Sequence, residues 1–185
     1  MRLCKDSKDV MKRFEMSFLN ESRECIFNED VSQITIAGEK IGPFKKGDHA
    51  NLPNWVIENL LKHEHVAITP EDSYESPRRL QNLSREEKKS PYKLQPFQPF
   101  LYTAIARKTL RLQSDKTSMD PRKYEDIENL RKMTYFLVET RLSKILRVAN
   151  SGAYQEKRNQ MANEERWLCE ELVELLSGWR QNIME

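Results

Sequence analysis

The three histidines are the side chains best suited to acid–base chemistry or metal binding near neutral pH. His63 and His65 form the only close pair, but side chains two residues apart on a helix point to different faces, so they make no ready metal site. We interpret them as exposed residues at a helix end. His49 stands next to Asp48 in a predicted turn, but no serine or cysteine nucleophile occurs in a recognisable context. The sequence therefore predicts no catalytic triad.

Common motifs that bind phosphates or zinc are absent from the sequence. It contains no Gly-x-x-x-x-Gly-Lys-Ser/Thr loop, no Gly-x-Gly-x-x-Gly turn and no His-Glu-x-x-His helix. The acidic pairs Glu164-Glu165 and Glu170-Glu171 belong to a predicted amphipathic helix, where carboxylates on the solvated face are expected. We therefore predict no catalytic residues, no metal site and no cofactor. An enzyme whose site is assembled from scattered acids and His49 is the least favoured alternative.

The cysteines and the hydropathy pattern indicate a reducing, intracellular compartment. Cys4, Cys25 and Cys169 are widely separated and match neither a disulfide framework nor a paired-cysteine zinc site, so we expect a reducing environment. No apolar run approaches the roughly 20 residues that span a bilayer. Charges from Arg2 to Glu15 exclude the apolar region of a signal peptide. These features predict a cytoplasmic protein with no membrane contact.

Positive charge is concentrated in the middle of the sequence. The whole chain has a formal net charge of +2, but residues 76–113 alone carry +7. Arg107, Lys108 and Arg111 flank the outer face of a predicted helix and form a candidate basic patch, which suits either a phosphate backbone or an acidic protein surface. Our second hypothesis is therefore a free-standing nucleic-acid-binding protein with weak, sequence-independent DNA contact. Four aromatic residues interleave with these charges, and we place them in a helix core: Tyr92, Phe97, Phe100 and Tyr102.

The first half of the sequence predicts a small β-rich unit. Short β-favouring runs at residues 25–27 and Ile34–Ile36 alternate with tight-turn signals. Leu52-Pro53 then begins a short amphipathic helix with proline in its first turn, and the apolar triplet Val66–Ile68 predicts a returning strand. Residues 1–20 form either one short amphipathic helix or a loose extension.

The second half predicts mainly helices. Residues 71–80 are interpreted as a connection, and Ser84 and Glu87 have the Ser-x-x-Glu form of a capping box that begins a short helix. Apolar residues at three- and four-residue spacing predict a long helix over residues 119–150, capped by Asp120. Such a helix is about 45 Å long, more than the roughly 26 Å diameter of a 100-residue domain. The predicted helix must therefore either break or extend beyond the domain.

The final predicted helix begins at Asn163 and carries Trp167 and Trp179 on one apolar stripe. These tryptophans belong either to the core of the chain or to an interface, where tryptophan is enriched. The elements together predict an α+β protein with a small β-rich N-terminal domain followed by an all-α helical-bundle domain. The predicted parts are an N-terminal extension or short helix at 1–20, the small β-rich domain at 21–75 and the helical domain at 76–185.

Several motifs carry a resemblance to a known family. Ile41-Gly42-Pro43-Phe44 is followed by Leu52-Pro53-Asn54-Trp55-Val56 and by Ala67-Ile68-Thr69-Pro70. This series resembles the small β-rich domain of GINS subunits, in which a Gly-Pro-Phe-like turn precedes a Leu-Pro-x-Trp helix start. Leu83-Ser84-Arg85-Glu86-Glu87 and the later Arg141-Leu142-Ser143-Lys144-Ile145-Leu146 are similar to parts of the family's helical domain. The resemblance covers nearly everything after residue 20.

The order of the two domains resembles that of the archaeal GINS subunit type with the β-rich domain first. The resemblance implies a non-catalytic scaffold in DNA replication, associated with the chromosome. It also implies a 2:2 heterotetramer with the other GINS subunit type, which joins the MCM helicase to a RecJ-like nuclease family protein. The candidate interface residues on this interpretation are Leu52, Pro53, Trp55, Leu142, Ile145, Trp167 and Trp179.

Overall fold

The computed structural model describes residues 6–36, 38–114 and 121–184, with the backbone alone for Glu39 and residues 121–123. The chain divides into two compact units, Met1–Tyr74 and Glu75–Glu185. All strands of the described residues lie in the first unit, and the second unit is helical. The prediction of an α+β fold with β structure first and a helical bundle second is confirmed.

The first unit is built around a three-stranded antiparallel sheet. Its elements in chain order are α1 (Ser7–Asn20), β1 (Ser22–Phe27), β2 (Ile34–Ile36), β3 (Glu39–Ile41), β4 (His49–Pro53), α2 (Asn54–Lys62) and β5 (Val66–Ile68). Strand β1 lies between β4 and β5, and β2 pairs with β3 in a separate hairpin. Alternate residues of β1 are buried, which is the two-residue period of a strand with one face on a core.

The turn that follows β3 requires glycine at position 42. Gly42 has φ = +95°, and a Cβ atom there would lie 3.1 Å from the ring of Phe44. Phe44 stacks on the buried Phe27, with the two ring centroids 4.1 Å apart. The Gly-Pro-Phe motif therefore places an aromatic ring against the core of this unit.

Hydrogen bonds connect the end of α1 to the start of α2. The Asn54 side chain donates from Nδ2 to the Phe18 carbonyl at 2.8 Å, and its backbone N–H donates to the Glu21 carbonyl at 2.9 Å. Phe18 is itself buried, so the last turn of α1 packs within this unit. Pro53 was expected inside the first turn of α2, but it ends β4 and directly precedes the helix, because pairing with β1 continues through it.

The second unit is made of helices. Its elements are α3 (Pro77–Lys89), α4 (Leu101–Ser114), α5 (Pro121–Ser151), α6 (Tyr154–Lys157), a 3₁₀ turn (Arg158–Gln160) and α7 (Asn163–Met184). Helix α5 is unbroken over 31 residues, which makes it about 46 Å long. The predicted start of this helix at residue 119 and its cap at Asp120 lie outside the described residues.

Helix α3 begins earlier than the sequence pattern predicts. It starts at Pro77, with Ser76 as the N-cap residue, since proline suits the first helical position. Residues 77–80, predicted as a connection, are therefore helical. Ser84 and Glu87 lie inside the helix and do not form a capping box, because the buried Glu87 carboxylate has partners in the core of the unit.

Helices α5 and α7 lie side by side and run in the same direction. Arg141 contacts Glu165 near the start of the pair, and Asn150 contacts Arg180 near its end. The segment with α6 and the 3₁₀ turn leads the chain back along α5 before α7 begins. Buried apolar side chains fill the space between the helices and this segment: Leu94, Ile145, Ala149, Tyr154, Met161 and Cys169.

Candidate subunit interface

A buried cluster of four charged side chains fixes the arrangement of the helical unit. Arg141 and Lys144 come from α5, Glu87 from α3 and Glu165 from α7, and each side chain is at most 4% exposed. The two positive and two negative charges balance. Because the carboxylates come from two different helices, the cluster sets the positions of α3 and α7 relative to α5.

Arg141 uses all five of its N–H groups as donors. Its acceptors are Glu165 Oε1 at 2.8 Å, Glu165 Oε2 at 2.6 Å, Glu87 Oε1 at 2.7 Å, the Gln95 carbonyl at 2.9 Å and the Gln160 carbonyl at 3.0 Å. Burial lowers the pKa of Arg141, but the hydrogen bonds and charge of Glu165, followed by the charge of Glu87, outweigh it, and the net pKa is raised. The guanidinium is therefore charged and fully paired.

Lys144 completes the cluster from the next turn of α5. Its Nζ donates to the Glu87 carbonyl at 2.9 Å, to the Lys93 carbonyl at 2.8 Å and to Glu87 Oε2. These three bonds use every donor of the ammonium group. They hold the end of α3 and the loop after it against α5.

Arg141 and Lys144 belong to the motif that resembles the GINS helical domain, but the sequence pattern alone predicts no role for them. The sequence did contain a sign that these two side chains are buried. Both share the helical face of the buried Leu137 and Ile145 at three- and four-residue spacing. Two cations on a core-facing stripe require buried acids as partners. The acids could not be identified in advance, since Glu87 was assigned to a capping box and Glu165 to a solvated face.

Two of the predicted interface residues lie in cores. Leu52 belongs to the buried apolar cluster of the first unit, and Ile145 belongs to that of the second. Neither side chain therefore presents a surface to a partner in this fold. Pro53 is half-buried, and Trp55 on α2 is exposed. Trp55 is therefore the member of the Leu-Pro-x-Trp motif that offers an apolar surface.

The two tryptophans of α7 occupy different environments. Trp167 is half-buried, and its Nε1 is buried with no hydrogen-bond partner among the described residues. Trp179 is 61% exposed. The single stripe predicted from the sequence therefore divides into a part near the core and an exposed part.

Exposed apolar residues continue to the end of α7. Leu175, Trp179 and Ile183 recur every four residues, and all three are exposed. Arg141 contacts Glu165, and Asn150 near the end of α5 contacts Arg180. These two contacts place the end of α5 between the levels of about residues 175 and 181 of α7, so about the last turn of α7 or more extends past α5. We call these three residues the α7 stripe.

A second exposed apolar stripe lies on α5. Tyr135, Val138 and Leu146 are exposed, and Leu142, at the same helical spacing, is half-buried. The sequence pattern would bury Val138 and Leu146, but the buried face of α5 is centred on Leu130, Leu137 and Arg141. The described helices therefore leave one edge of the apolar surface of α5 uncovered, and we call these four residues the α5 stripe.

The residues of the predicted basic patch interact with other residues of the chain. Arg107, Lys108 and Arg111 are half-buried, and each takes part in an interaction within the chain. Lys108 Nζ also donates to the Glu75 carbonyl at 3.4 Å. These three side chains do not form an open cationic surface.

His63 and His65 follow the end of a helix, as the sequence pattern predicts, whereas His49, expected in a turn, begins strand β4. Helix α2 ends at Lys62, so His63 and His65 lie in a turn, where their ring centroids are 5.7 Å apart. His65 pairs with Glu29, and His49 Nδ1 lies 3.2 Å from Glu24 Oε1. No group of three or more potential metal ligands occurs in residues 6–36, 38–114 and 121–184.

The two cysteines within the described residues are free and buried. Burial raises the pKa of both the Cys25 and the Cys169 thiol to about 11, so both are protonated at neutral pH. The third cysteine, Cys4, lies outside the described residues. In the part of the chain that the structure describes, no helix is long and apolar enough to cross a membrane.

The helical unit matches a known family. Residues 74–184 match the family model Sld5, described as the GINS complex protein helical bundle domain. This match includes the buried charge cluster and both apolar stripes. Among curated proteins no match was found. The family match covers more than half of the chain, and the protein is therefore a member of the GINS family, with a role in the GINS complex of DNA replication.

Proposed function

We propose that the chain is a non-catalytic scaffold subunit of a GINS complex, of the archaeal type with the small β-rich domain first and the helical domain second. The observation that carries this proposal is the α7 stripe on a helix end that extends past α5. Leu175, Trp179 and Ile183 face solvent in the isolated chain. Exposed apolar residues arranged in this way mark interaction sites on helical proteins.

The α7 stripe has the composition of an interface anchor. Tryptophan is enriched among residues whose truncation costs most binding energy, and a helix commonly binds a groove through apolar residues at such spacing. Complete burial of a large apolar side chain contributes about 1.5–3 kcal/mol. Three such residues, extended by the α5 stripe on the neighbouring helix, favour association with another helical subunit.

The proposed assembly contains two copies of this chain and two of the other GINS subunit type. The two stripes supply contacts between helical domains, and exposed Trp55 supplies a contact from the small β-rich domain. The proposed complex joins the MCM helicase to a RecJ-like nuclease family protein. This role requires surfaces and no active site, and the resemblance of the first unit to the β-rich GINS domain supports the subunit type.

Co-expression with the other subunit type, followed by light scattering on the purified complex, tests the proposed assembly. The expected mass is that of about four chains, two of each type. A strictly monomeric chain under those conditions would contradict the proposal. Retention of the MCM helicase on the immobilised complex, but not on the bare matrix, tests the linking role separately.

A further inference from the structure

A second surface of the helical unit combines positive charge with exposed aromatic rings. It is formed by the end of α3, the loop after α3 and one side of α5. We call it the basic–aromatic surface, and its members are Lys88, Lys89, Tyr92, Lys93, Phe136 and Arg147. Tyr92 is 87% exposed, and Phe136 is also exposed.

Two cation–π contacts bring these residues together. Lys88 Nζ lies 4.0 Å from the centroid of the Phe136 ring, and Arg147 Cζ lies 5.1 Å from that of Tyr92. Arg147 also donates to the Pro91 carbonyl at 3.1 Å. Residues from α3, the loop and α5 therefore form one continuous surface.

The charge of this surface is not neutralised within the described residues. Lys88, Lys89, Lys93 and Arg147 are exposed, and none of the four forms an ion pair with a described carboxylate. The carboxylate of Glu87 is buried and belongs to the internal cluster. Exposed Arg78 and Arg85 on α3 add further positive charge. Glu86 is an exposed acid on the same helix.

The combination of residue types distinguishes between anionic partners. An acidic polypeptide uses the cations but not the ring faces. Duplex DNA offers phosphates, but its bases are stacked on each other. A single strand offers both phosphates and unpaired bases, and proteins bind it with a positively charged surface and aromatic rings. We propose that the basic–aromatic surface binds single-stranded DNA, with Tyr92 as the stacking residue.

Fluorescence anisotropy with the full-length chain and a labelled oligothymidylate of roughly 16 nucleotides tests the stacking role. Stacking on one aromatic ring changes affinity by at least about fivefold, so Tyr92→Ala should weaken binding by that factor or more. Tyr124→Ala is the matched control, because Tyr124 is also on the surface of this unit, at 67% exposure, and should bind as the unchanged chain does. Equal affinities of the two variants would overturn the proposal.

The salt dependence tests the phosphate contacts. Each phosphate contact on a single strand contributes a slope of about −0.7 to the plot of log affinity against log salt, so Lys89→Glu with Lys93→Glu should flatten the slope by about 1.4. Lys45→Glu with Lys46→Glu makes the same charge change on exposed residues of the first unit and should leave the slope unaltered. If both double variants decreased the salt-dependence slope equally, a localised binding site would be refuted.

Competition experiments distinguish the alternative partners. Unlabelled oligothymidylate should displace the probe at lower phosphate concentration than duplex DNA, and polyglutamate of equal charge should displace it poorly. Polyglutamate that competes as well as oligothymidylate would replace the proposal by an acidic-protein site. Circular dichroism on every variant checks that these surface substitutions leave the helical content unchanged.

Discussion

Replacing Arg141 by methionine should destabilise the helical unit by about 3–5 kcal/mol, the usual cost of removing one partner from a buried ion pair. Methionine fills most of the volume of arginine, so the loss reports charge and hydrogen bonds rather than a cavity. Five hydrogen bonds that Arg141 donates disappear, two of them to backbone carbonyls. Lys144 still pairs with Glu87. Glu165 is then left buried without a cation.

Thermal unfolding followed by circular dichroism measures this loss. For a domain of this size, 3–5 kcal/mol corresponds to a fall in Tm of roughly 10–25 °C. The control is Arg131→Met on the same helix, where Arg131 pairs with Glu128 at 3.1 Å and both side chains are more than half exposed. Such a surface pair contributes at most about 1 kcal/mol.

A second substitution tests the cause of the loss. If a stranded carboxylate accounts for it, Glu165→Gln in the Arg141→Met background should restore part of the stability, because a neutral amide is less costly to bury than an unpaired charge. A loss for Arg141→Met no larger than that for Arg131→Met would contradict the stabilising role of the buried cluster. A double variant less stable than Arg141→Met alone would contradict the stranded carboxylate as its cause.

Three further predictions follow from burial and exposure. Replacing Leu175 and Trp179 by serine should weaken assembly with the other subunit type at least tenfold in a titration, and leave the Tm of the isolated chain nearly unchanged, because both residues face solvent. Burial raises the pKa of the Glu164 carboxyl above its ordinary value of 4.5, despite its hydrogen bonds. Its stabilising contribution is therefore complete below pH 4.5 and is lost as pH rises through the raised pKa. Glu164→Gln should remove this loss, so that its Tm relative to the unchanged chain increases from pH 4 to pH 7. Phe27→Ala should cost the first unit about 3–5 kcal/mol in denaturant titrations, because the ring is buried and stacked.

The controls for these predictions use the same measurements. Leu110→Ser on α4 removes an exposed leucine outside both stripes and should leave assembly unchanged. An equal loss of assembly from Leu110→Ser would show that the α7 stripe is not specific. A Tm difference for Glu164→Gln that is constant with pH would contradict the proposed ionisation. A loss below about 1 kcal/mol for Phe27→Ala would contradict its place in the core.

Elements with strong local patterns could be predicted from the sequence. The three- and four-residue spacing predicted α5 and α7, the β-favouring run Ile34–Ile36 predicted β2, and the apolar triplet Val66–Ile68 predicted β5. The short strand β4 was missed as a separate element, because residues 49–53 have no alternating pattern and end in proline. Their strand conformation depends on pairing with β1, which is a long-range interaction.

The roles of charged residues were harder to predict. Ser84 and Glu87 fit a local capping motif, but the free energy gained by pairing Glu87 with Arg141 and Lys144 depends on α3 packing against α5. No local pattern contains that information. The same limit applies to Tyr92, which was placed in a helix core but is exposed, because α3 ends at Lys89 and the chain continues as a loop.

Hydrogen–deuterium exchange on the assembled complex tests the central claim most directly. In the isolated chain the amides of residues 175–184 belong to a helix end with exposed side chains, and we expect them to exchange rapidly. If this end of α7 binds another GINS subunit, their exchange should slow at least tenfold on assembly, while the outer face of α1 is unaffected. A complex of four chains in which residues 175–184 exchange as fast as in the isolated chain would contradict the account.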